Sequence, residues 1–487
     1  MNTKREEKAV KYLLAFALPI LLALPPAVAN TAATSIEQAR SCHLPGHEAP
    51  LRCVKVGVPL DYRRPTSDKV DIHVAIAPAF RQPAKPDPLF ILAGGPGQAG
   101  SDLLQILDRT FRKVRATRDI VFIDQRGTGR SGKLDCESTK SLDERPLAEQ
   151  ERIVAACLRD LARPYAAYNT ENAARDIERV RSALGYGQIN IWGGSYGTRL
   201  AQAYARLFPA SVRALTLDGV ASPEQIIFAW GSDVQSSLDA LFKQCEQDRD
   251  CGGAFPALRD QFKAVLGRVN GGAVKLDFPH PRTAARIQMH LQPTAFLQTI
   301  RAALYTPDIR SRIPFLIDSA DKGNWSPFIA QMHALADMAL STPSLGLMLS
   351  VVCAEDVPRL TPATIAQEER ASFLAAIELK TIPGWCRYVD VPAARPAAPR
   401  TIEAPALLLS GALDPVTPPR RAEEAMKYMK RARHVIVRNG GHIVSTLGCA
   451  PRLLREFLDR PEQPLDAQCL NDIPPIGFQL GAAGPQP

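Results

Sequence analysis

The chain has 487 residues, of which 46% are hydrophobic and 22% charged, so a disordered or fibrous protein is excluded and a large globular core is expected. The formal net charge is +9, but no block of lysine and arginine concentrates it, and nothing indicates nucleic-acid binding. No Cys-x-x-Cys pair occurs among the ten cysteines, which argues against zinc or thioredoxin-like chemistry.

The first 29 residues have the layout of a secretory signal peptide. Four basic residues precede the apolar run 12–24, and the small residues Ala27, Val28 and Ala29 follow. A membrane anchor is the alternative, but the run is shorter than the stretch of about 20 residues that crosses a bilayer. We therefore expect cleavage after Ala29, export to a periplasm or beyond the cell, and no membrane span afterwards.

Disulfides are expected in an exported chain with an even number of cysteines. The cysteines fall into couples that are neighbours in sequence. We predict the pairs 42–53, 136–157, 245–251, 353–386 and 449–469.

Residues 30–221 are predicted to form the first part of an α/β core. Residues 70–76 alternate apolar and polar side chains, which is typical of a half-buried, antiparallel strand. Short apolar runs then predict strands that are buried on both faces of a parallel sheet, at 88–93, 119–124, 189–192 and 214–217. Helical periodicity falls between them, at 172–184 and 200–208. This alternation predicts a mostly parallel sheet with helices on both faces.

The alternation stops at about residue 222. Mostly helical patterns follow as far as 400, and we predict that 222–400 is an inserted helical cap that ends in a proline-alanine linker at 391–400. Strand patterns return at 406–410 and 434–437, and a closing helix is predicted at 453–458. Residues 401–470 should therefore complete the core, and 471–487 are predicted to form a loose tail.

The strongest local motif is Gly193-Gly194-Ser195-Tyr196-Gly197, which fits Gly-x-Ser-x-Gly. A buried strand precedes it and an amphipathic helix follows, as in the nucleophile elbow of α/β hydrolases. Glycines are needed there because side chains would collide in so tight a turn. We predict that Ser195 is a nucleophile.

A serine nucleophile needs a base, and the base needs an orienting acid. In an α/β hydrolase these follow the serine in the order acid, then histidine. Asp414 comes just after the strand at 406–410, and His442 lies in the loop after the strand at 434–437. Asp218, at the end of an earlier strand, is the alternative acid. His434 is the alternative base, but it begins a strand and should lie at its far end.

The developing oxyanion should be bound by backbone amides. One is predicted to be the N–H of Tyr196, next to the nucleophile. The other should come from the glycine-rich loop 93–97, where we favour Gly95 over its neighbours. A second glycine-rich segment, 127–132, fits Gly-x-Gly-x-x-Gly, but no helical pattern opens at its last glycine, so we reject a dinucleotide site.

The motifs GGPG at 94–97, DQRGTGRSG at 124–132, GGSYG at 193–197 and LDGV at 217–220 resemble those of the prolyl-iminopeptidase and tripeptidyl-aminopeptidase group of α/β hydrolases. The segments SGALDPVTP at 410–418 and GGH at 440–442 resemble the C-terminal region of tripeptidyl aminopeptidases. Ala93 departs from prolyl iminopeptidases, which carry histidine before the glycines, and this favours the tripeptidyl side.

The resemblance implies cleavage of a peptide bond near a free N-terminus. In this group acidic residues of the cap bind the substrate ammonium, and the segment Cys353-Ala354-Glu355-Asp356 resembles a family segment. Glu355 and Asp356 are therefore candidate substrate ligands. A capped turn beside a disulfide is the alternative role for them.

The sequence thus predicts an exported serine hydrolase, most simply an aminopeptidase that needs no metal or organic cofactor and takes a peptide or other small molecule as substrate. An esterase of the same fold is one alternative, because a fold does not fix a function. A catalytically silent binding protein is another, which the complete Ser/Asp/His order argues against. The sequence does not indicate an oligomeric state.

Overall fold

The structure is a computed structural model that describes residues 35–64, 66, 68–140, 142–279, 283–338, 343–394 and 400–484. The predicted signal peptide, 1–29, lies outside the described residues. So do residues 395–399 of the predicted linker and 485–487 of the predicted tail.

The first four strands follow one another directly, and helices then separate the strands from the fourth to the seventh. The strands are β1 (Arg40–Leu44), β2 (His47–Pro59), β3 (Lys69–Ala77), β4 (Leu89–Leu92), β5 (Ile120–Ile123), β6 (Ile189–Gly194), β7 (Val212–Asp218), β8 (Lys275–Pro279), β9 (Arg286–His290), β10 (Ala406–Gly411) and β11 (Ala432–Val437). The α-helices are α1 (Ser35–Gln38), α2 (Arg112–Arg115), α3 (Leu147–Leu161), α4 (Thr170–Ala183), α5 (Tyr196–Leu207), α6 (Gly231–Gln247), α7 (Arg249–Ala254), α8 (Leu258–Asn270), α9 (Pro293–Ala303), α10 (Pro307–Arg310), α11 (Ile313–Asp321), α12 (Ser326–Met338), α13 (Leu345–Glu355), α14 (Pro362–Ala371), α15 (Ala375–Trp385), α16 (Pro419–Met426) and α17 (Ala450–Asp459).

Among the described residues, nine strands form one sheet in the order β1-β2-β3-β5-β4-β6-β7-β10-β11. The strands from β5 to β11 in this order are parallel, which confirms the predicted mostly parallel sheet. β3 pairs antiparallel with β2 and β5. The sequence analysis did not predict β1 and β2, and it predicted that β3 is half-buried. Residues 72–77 are buried throughout, because alternate residues of β3 belong to two separate apolar clusters.

Alternate residues of the central strands face two separate apolar clusters. Phe90 and Val121 pack against α4 and α5 on one face, whereas Leu89 and Phe122 pack against α2 and α17 on the other. α4 begins two residues earlier than predicted because the side chain of Asn169 caps its first turn. α5 begins four residues earlier than predicted, immediately after the serine of the Gly-x-Ser-x-Gly motif.

Helices α6–α15 and the hairpin β8–β9 lie between β7 and β10 in the chain. Most of them share an apolar cluster of their own, but α13 and part of α15 pack into the cluster that covers one face of the sheet. The hairpin, 275–290, was not expected, and its strands alternate exposed and half-buried residues. The domain boundaries at 222 and 400 stay predictions. We refer to 222–400 as the helical insert.

All five predicted disulfides are confirmed. The bonds are Cys42–Cys53, Cys136–Cys157, Cys245–Cys251, Cys353–Cys386 and Cys449–Cys469. Five disulfides are typical of a protein that matures in an oxidising compartment outside the cytosol. Within the described ranges, no helix is long and apolar enough to cross a membrane.

The described part of the predicted tail, 471–484, contacts the rest of the molecule. Asn439 donates from Nδ2 to the carbonyl of Ile473 at 2.8 Å, and the backbone N–H of Gln479 donates to the carbonyl of Ser311 at 3.1 Å. Phe478 and Leu480 pack against the apolar cluster of the helical insert. The tail therefore runs from the sheet domain to the insert.

Candidate active site

The carboxyl ends of β4, β6, β7 and β10 meet at one edge of the sheet. The register pairs Leu92 with Gly193, and Asp218 with both Gly194 and Leu409. The loops after β4, β6 and β10 carry the glycine-rich segment 93–97, Ser195 and Asp414, and Asp218 is the last residue of β7. Side chains of residues far apart in the chain can therefore meet there.

Ser195 occupies the turn between β6 and α5, with a backbone φ of +56°. A non-glycine residue in this region is strained, as expected for a nucleophile elbow. A Cβ at Gly193 would lie 2.5 Å from the carbonyl oxygen of Gly197, and one at Gly197 would lie 2.2 Å from that of Leu92. The two glycines thus allow the turn to approach β4 closely, and the Ser195 side chain stays partly exposed at its tip.

Asp414 and His442 form a buried hydrogen-bonded pair. Nδ1 of His442 lies 2.8 Å from Oδ2 of Asp414. Oδ1 of Asp414 accepts from the backbone amides of Val416 and Thr417, at 2.9 and 2.8 Å, so the carboxylate is fixed in position. The imidazole of His442 is therefore hydrogen-bonded to a carboxylate whose own orientation is fixed.

The interaction between Asp414 and His442 shifts the pKa of both groups in favour of their charged forms. Burial lowers the pKa of His442, but the charge of Asp414 and the hydrogen bond between them more than offset it, so this pKa lies above its usual value. Burial likewise raises the pKa of Asp414, but the interactions with His442 and the two backbone amides bring it below its usual value. The carboxylate can thus stabilise the imidazolium that forms when His442 accepts a proton.

Thr417 is a member of this site that the sequence analysis missed. Its hydroxyl donates to Oδ2 of Asp414 at 2.7 Å and lies 3.1 Å from Nδ1 of His442. A threonine three residues after an aspartate is a common turn signature, and this local signal could have indicated it. The Thr417 hydroxyl therefore helps to fix Oδ2, the oxygen of Asp414 that contacts His442.

Asp218, the alternative acid, joins the nucleophile turn to the histidine loop. Its backbone carbonyl accepts from the N–H of Ser195 at 2.9 Å. Its fully buried carboxylate accepts from the backbone amides of Val444 and Ser445, at 2.9 and 2.8 Å. The structure places Asp414, and not Asp218, at Nδ1 of His442.

The imidazole of His442 lies over Gly219, the residue after β7. A Cβ at Gly219 would come within 3.0 Å of Cε1 of His442. The other histidine that we considered, His434, lies within β11, with Nε2 2.9 Å from Oγ of Ser410. It is therefore part of the sheet and not of the loop beyond it.

The glycine-rich loop 93–97 lies against the nucleophile. A Cβ at Gly94 would be 2.9 Å from Cβ of Ser195, so only glycine fits there. Gly95 follows with a φ of +105° and an exposed backbone. Tyr196 is the first residue of α5, where an amide has no carbonyl partner within its own helix. Of the two residues proposed as oxyanion donors, Tyr196 thus follows Ser195 in the chain, and Gly95 follows Gly94, whose backbone lies against Ser195.

The segment 127–132 is joined through Asp124 to the helical turn 100–106, which comes shortly after this loop. The buried carboxylate of Asp124 accepts from the backbone amides of Ser101 and Arg130, at 2.8 and 2.9 Å, and lies 3.2 Å from Nδ1 of His73. No long helix opens at Gly132. The segment therefore connects the loop after β5 to the helical turn after β4.

The two cap carboxylates point in different directions. Glu355 is partly exposed at the end of α13, and it accepts from the backbone N–H and the hydroxyl of Thr170 at 2.8 and 2.7 Å. The same hydroxyl lies 2.8 Å from the phenolic oxygen of Tyr196, so Glu355 is connected to the neighbour of the nucleophile. Burial raises the pKa of Glu355, although the charge of Arg199 opposes this.

Asp356 is completely buried. Both its oxygens lie 3.0 Å from Nη1 of Arg199, and Oδ1 also accepts from Arg359. Its charge is already paired with two guanidinium groups, which favours the structural alternative, and a role of Asp356 as a substrate ligand stays a prediction. The described residues contain no cluster of three or more His, Cys, Asp or Glu side chains that could hold a metal.

Comparison with known proteins agrees with the α/β hydrolase fold. Residues 87–251 match the family model described as alpha/beta hydrolase fold, and residues 375–469 match the one described as TAP-like protein. The serine protease Hip1 of Mycobacterium tuberculosis is 27% identical over 413 residues, which cover 75% of this chain and 76% of the relative. The tripeptidyl aminopeptidase of Streptomyces lividans is 30% identical, over 41% of this chain and 38% of the relative. The proline iminopeptidase of Neisseria meningitidis is 34% identical, over 29% of this chain and 36% of the relative.

We predict that turnover requires a neutral His442 and falls as the pH is lowered. Because Asp414 raises the pKa of His442, the midpoint of the acid limb of kcat/KM should lie above the usual histidine value of about 6.5. D414N should move the midpoint to lower pH and reduce kcat by roughly 10³- to 10⁴-fold. A pH profile of a nitrophenyl ester assay measures both, and an unmoved midpoint in D414N would contradict the assignment.

D218N should have a smaller effect than D414N, because Asp218 holds the loop but does not bind the imidazole. We expect a lower melting temperature and a roughly 10-fold decrease in kcat, since the amide offers only one acceptor to the amides of Val444 and Ser445. Steady-state kinetics beside a thermal melt measure this. If D218N abolishes turnover in a folded protein while D414N does not, the roles of the two acids are reversed.

Proposed function

Because the chain has the α/β hydrolase fold with a TAP-like C-terminal region, we propose that it is an exported serine peptidase that removes residues or short peptides from free N-termini. One observation carries the proposal. Asp414 and His442 form a buried pair at 2.8 Å, and Asp218 joins the loop of His442 to the strained turn of Ser195. This arrangement matches what acyl transfer requires of a nucleophile, a base and an orienting acid.

In the proposed mechanism His442 takes the hydroxyl proton of Ser195 as the serine oxygen attacks the scissile carbonyl. The carbonyl oxygen becomes negative and is bound by the N–H groups of Gly95 and Tyr196. His442 then gives its proton to the leaving amine, and the C–N bond breaks to leave an acyl-enzyme. Water attacks this ester with His442 again as base, which releases the acid and restores Ser195. No metal or organic cofactor enters these steps.

Recognition of a free N-terminus is proposed for Glu355. Its carboxylate has two acceptor oxygens with several lone pairs, of which Thr170 uses two. A substrate ammonium would add a charge-assisted hydrogen bond on the exposed side. It would also favour the ionised carboxylate, against the burial that raises the pKa of Glu355. The relatives named as a tripeptidyl aminopeptidase and a proline iminopeptidase support this class of substrate.

Export is proposed on two grounds. The five disulfides need an oxidising compartment to form and persist, and the first 29 residues have the pattern of a signal peptide. A periplasmic and an extracellular location are both compatible with these features.

A panel of four substrates tests the proposed activity: a proline arylamide, a free tripeptide arylamide, its N-acetylated twin and a nitrophenyl ester. We expect cleavage of a free arylamide but not of the acetylated one, and loss of both arylamide and ester activity in S195A. The better arylamide gives the number of residues released. Ester cleavage alone would make the protein an esterase, and a Ser195 that fluorophosphonates do not label would make it a binding protein.

The role of Glu355 is tested by E355Q, which keeps an acceptor for Thr170 but removes the charge. We expect KM for the free tripeptide arylamide to rise roughly 10- to 100-fold, because one charge-assisted hydrogen bond to the substrate is lost. The value of kcat/KM for the ester should stay within about 3-fold. D356N is the matched control, because it removes the neighbouring carboxylate from its buried ion pairs. It should lower the melting temperature without changing the ratio of amine to ester activity. An unchanged KM in E355Q would remove Glu355 from the site.

A further inference from the structure

Tyr305 reaches the candidate base from the helical insert. It lies between α9 and α10, and its backbone carbonyl accepts from the N–H of His442 at 2.7 Å. Its ring meets the imidazole edge to face, with ring centroids 5.0 Å apart and an interplanar angle of 72°. A Cβ at Gly441 would lie 2.2 Å from the Tyr305 carbonyl oxygen, so the glycine before the histidine permits this contact.

Tyr305 is itself held by neighbours in the insert. Arg301 donates from Nη1 to its hydroxyl at 2.8 Å, and the guanidinium also lies over the rings of Tyr305 and Trp230, 5.6 and 4.9 Å from their centroids. Trp230 and Gln298 both donate to the carboxylate of Glu378, at 2.6 and 2.7 Å. Gln298 in turn accepts from Nε of Arg301 at 2.7 Å. The ring that touches His442 is therefore fixed by a network from several helices.

The restraints on the imidazole come from separate directions. Asp414 and Thr417 hold Nδ1, and Gly219 lies next to Cε1. A hydrogen bond at one ring nitrogen fixes that atom but leaves the ring free to tilt about it. The edge-to-face contact with Tyr305 is a further packing surface that opposes this tilt.

We propose that Tyr305 is a positioning residue for His442, so that the helical insert completes the alignment of the base toward Ser195. This inference rests on the function proposed above and adds that the insert has a second role besides covering the site. Because the contact joins the insert to the sheet domain, displacement of the insert would leave Asp414 in place but release the ring of His442.

The test compares Y305A and Y305F in the full mature chain, with a small nitrophenyl ester and with fluorophosphonate labelling of Ser195. Both probes are small, so a change in them does not reflect lost binding of a long substrate. We expect Y305F, which keeps the ring, to stay within about 3-fold of the unmodified protein. Y305A should lower kcat and the labelling rate by roughly 10-fold or more.

The pH profile separates positioning from general damage to the fold. Burial lowers the pKa of His442, so removal of the Tyr305 ring should admit water and move the acid limb of Y305A to higher pH. W325A is the matched control, because Trp325 packs on Phe296 and Phe328 within the insert, away from the histidine. It should lower the melting temperature without moving this midpoint.

The inference is overturned if Y305A keeps the rate and the acid-limb midpoint of the unmodified protein. It is also overturned if Y305F is impaired as much as Y305A, because the role would then belong to the Tyr305 hydroxyl and Arg301. Its failure is distinct from that of the proposed function. If S195A retains ester cleavage, the mechanism itself is wrong. If S195A is inactive while Y305A is normal, only the role of Tyr305 falls.

Discussion

The site depends on one buried carboxylate that belongs to no step of the proposed chemistry. Asp218 accepts two backbone amides of the histidine loop, which lie 226 and 227 residues further along the chain, while its own carbonyl accepts the amide of Ser195. Burial raises the pKa of Asp218, and those amide hydrogen bonds counteract this. The strained turn of Ser195 and the loop of His442 thus share one fixed point at the end of β7.

Around this point the two parts of the molecule contribute different groups. The sheet domain supplies Ser195, Asp414 and His442 from loops at one edge of the sheet. The helical insert brings Glu355 to one side of the nucleophile and Tyr305 to the histidine. The tail reaches from Asn439, close to the histidine loop, to Ser311 of the insert. With the roles proposed for Glu355 and Tyr305, substrate recognition and the alignment of the base would both depend on how the insert packs against the sheet.

Much of this could be predicted from local patterns. Runs of apolar residues identified the central strands, because a strand buried on both faces has no polar side. The Gly-x-Ser-x-Gly motif and the order of Asp414 and His442 indicated the candidate triad because chain order and strand ends are fixed by the fold. The disulfide couples followed from nearness in sequence. These features depend on neighbouring residues or on topology.

The features that could not be predicted depend on the direction of individual side chains and on contacts between residues far apart in the chain. Glu355 and Asp356 are adjacent, but α13 ends between them and their side chains diverge. Glu355 binds Thr170, which contacts Tyr196, whereas Asp356 pairs with Arg199 and Arg359. Tyr305 carries no motif, and its contact with His442 exists only once the insert has packed. None of the five disulfides joins residues 222–400 to the rest of the chain, but Cys353–Cys386 anchors the turn of α13 that carries Glu355. With the role proposed for Glu355, reduction of this one disulfide would loosen the turn that carries the carboxylate, and the redox state of the protein would then act on its choice of substrate.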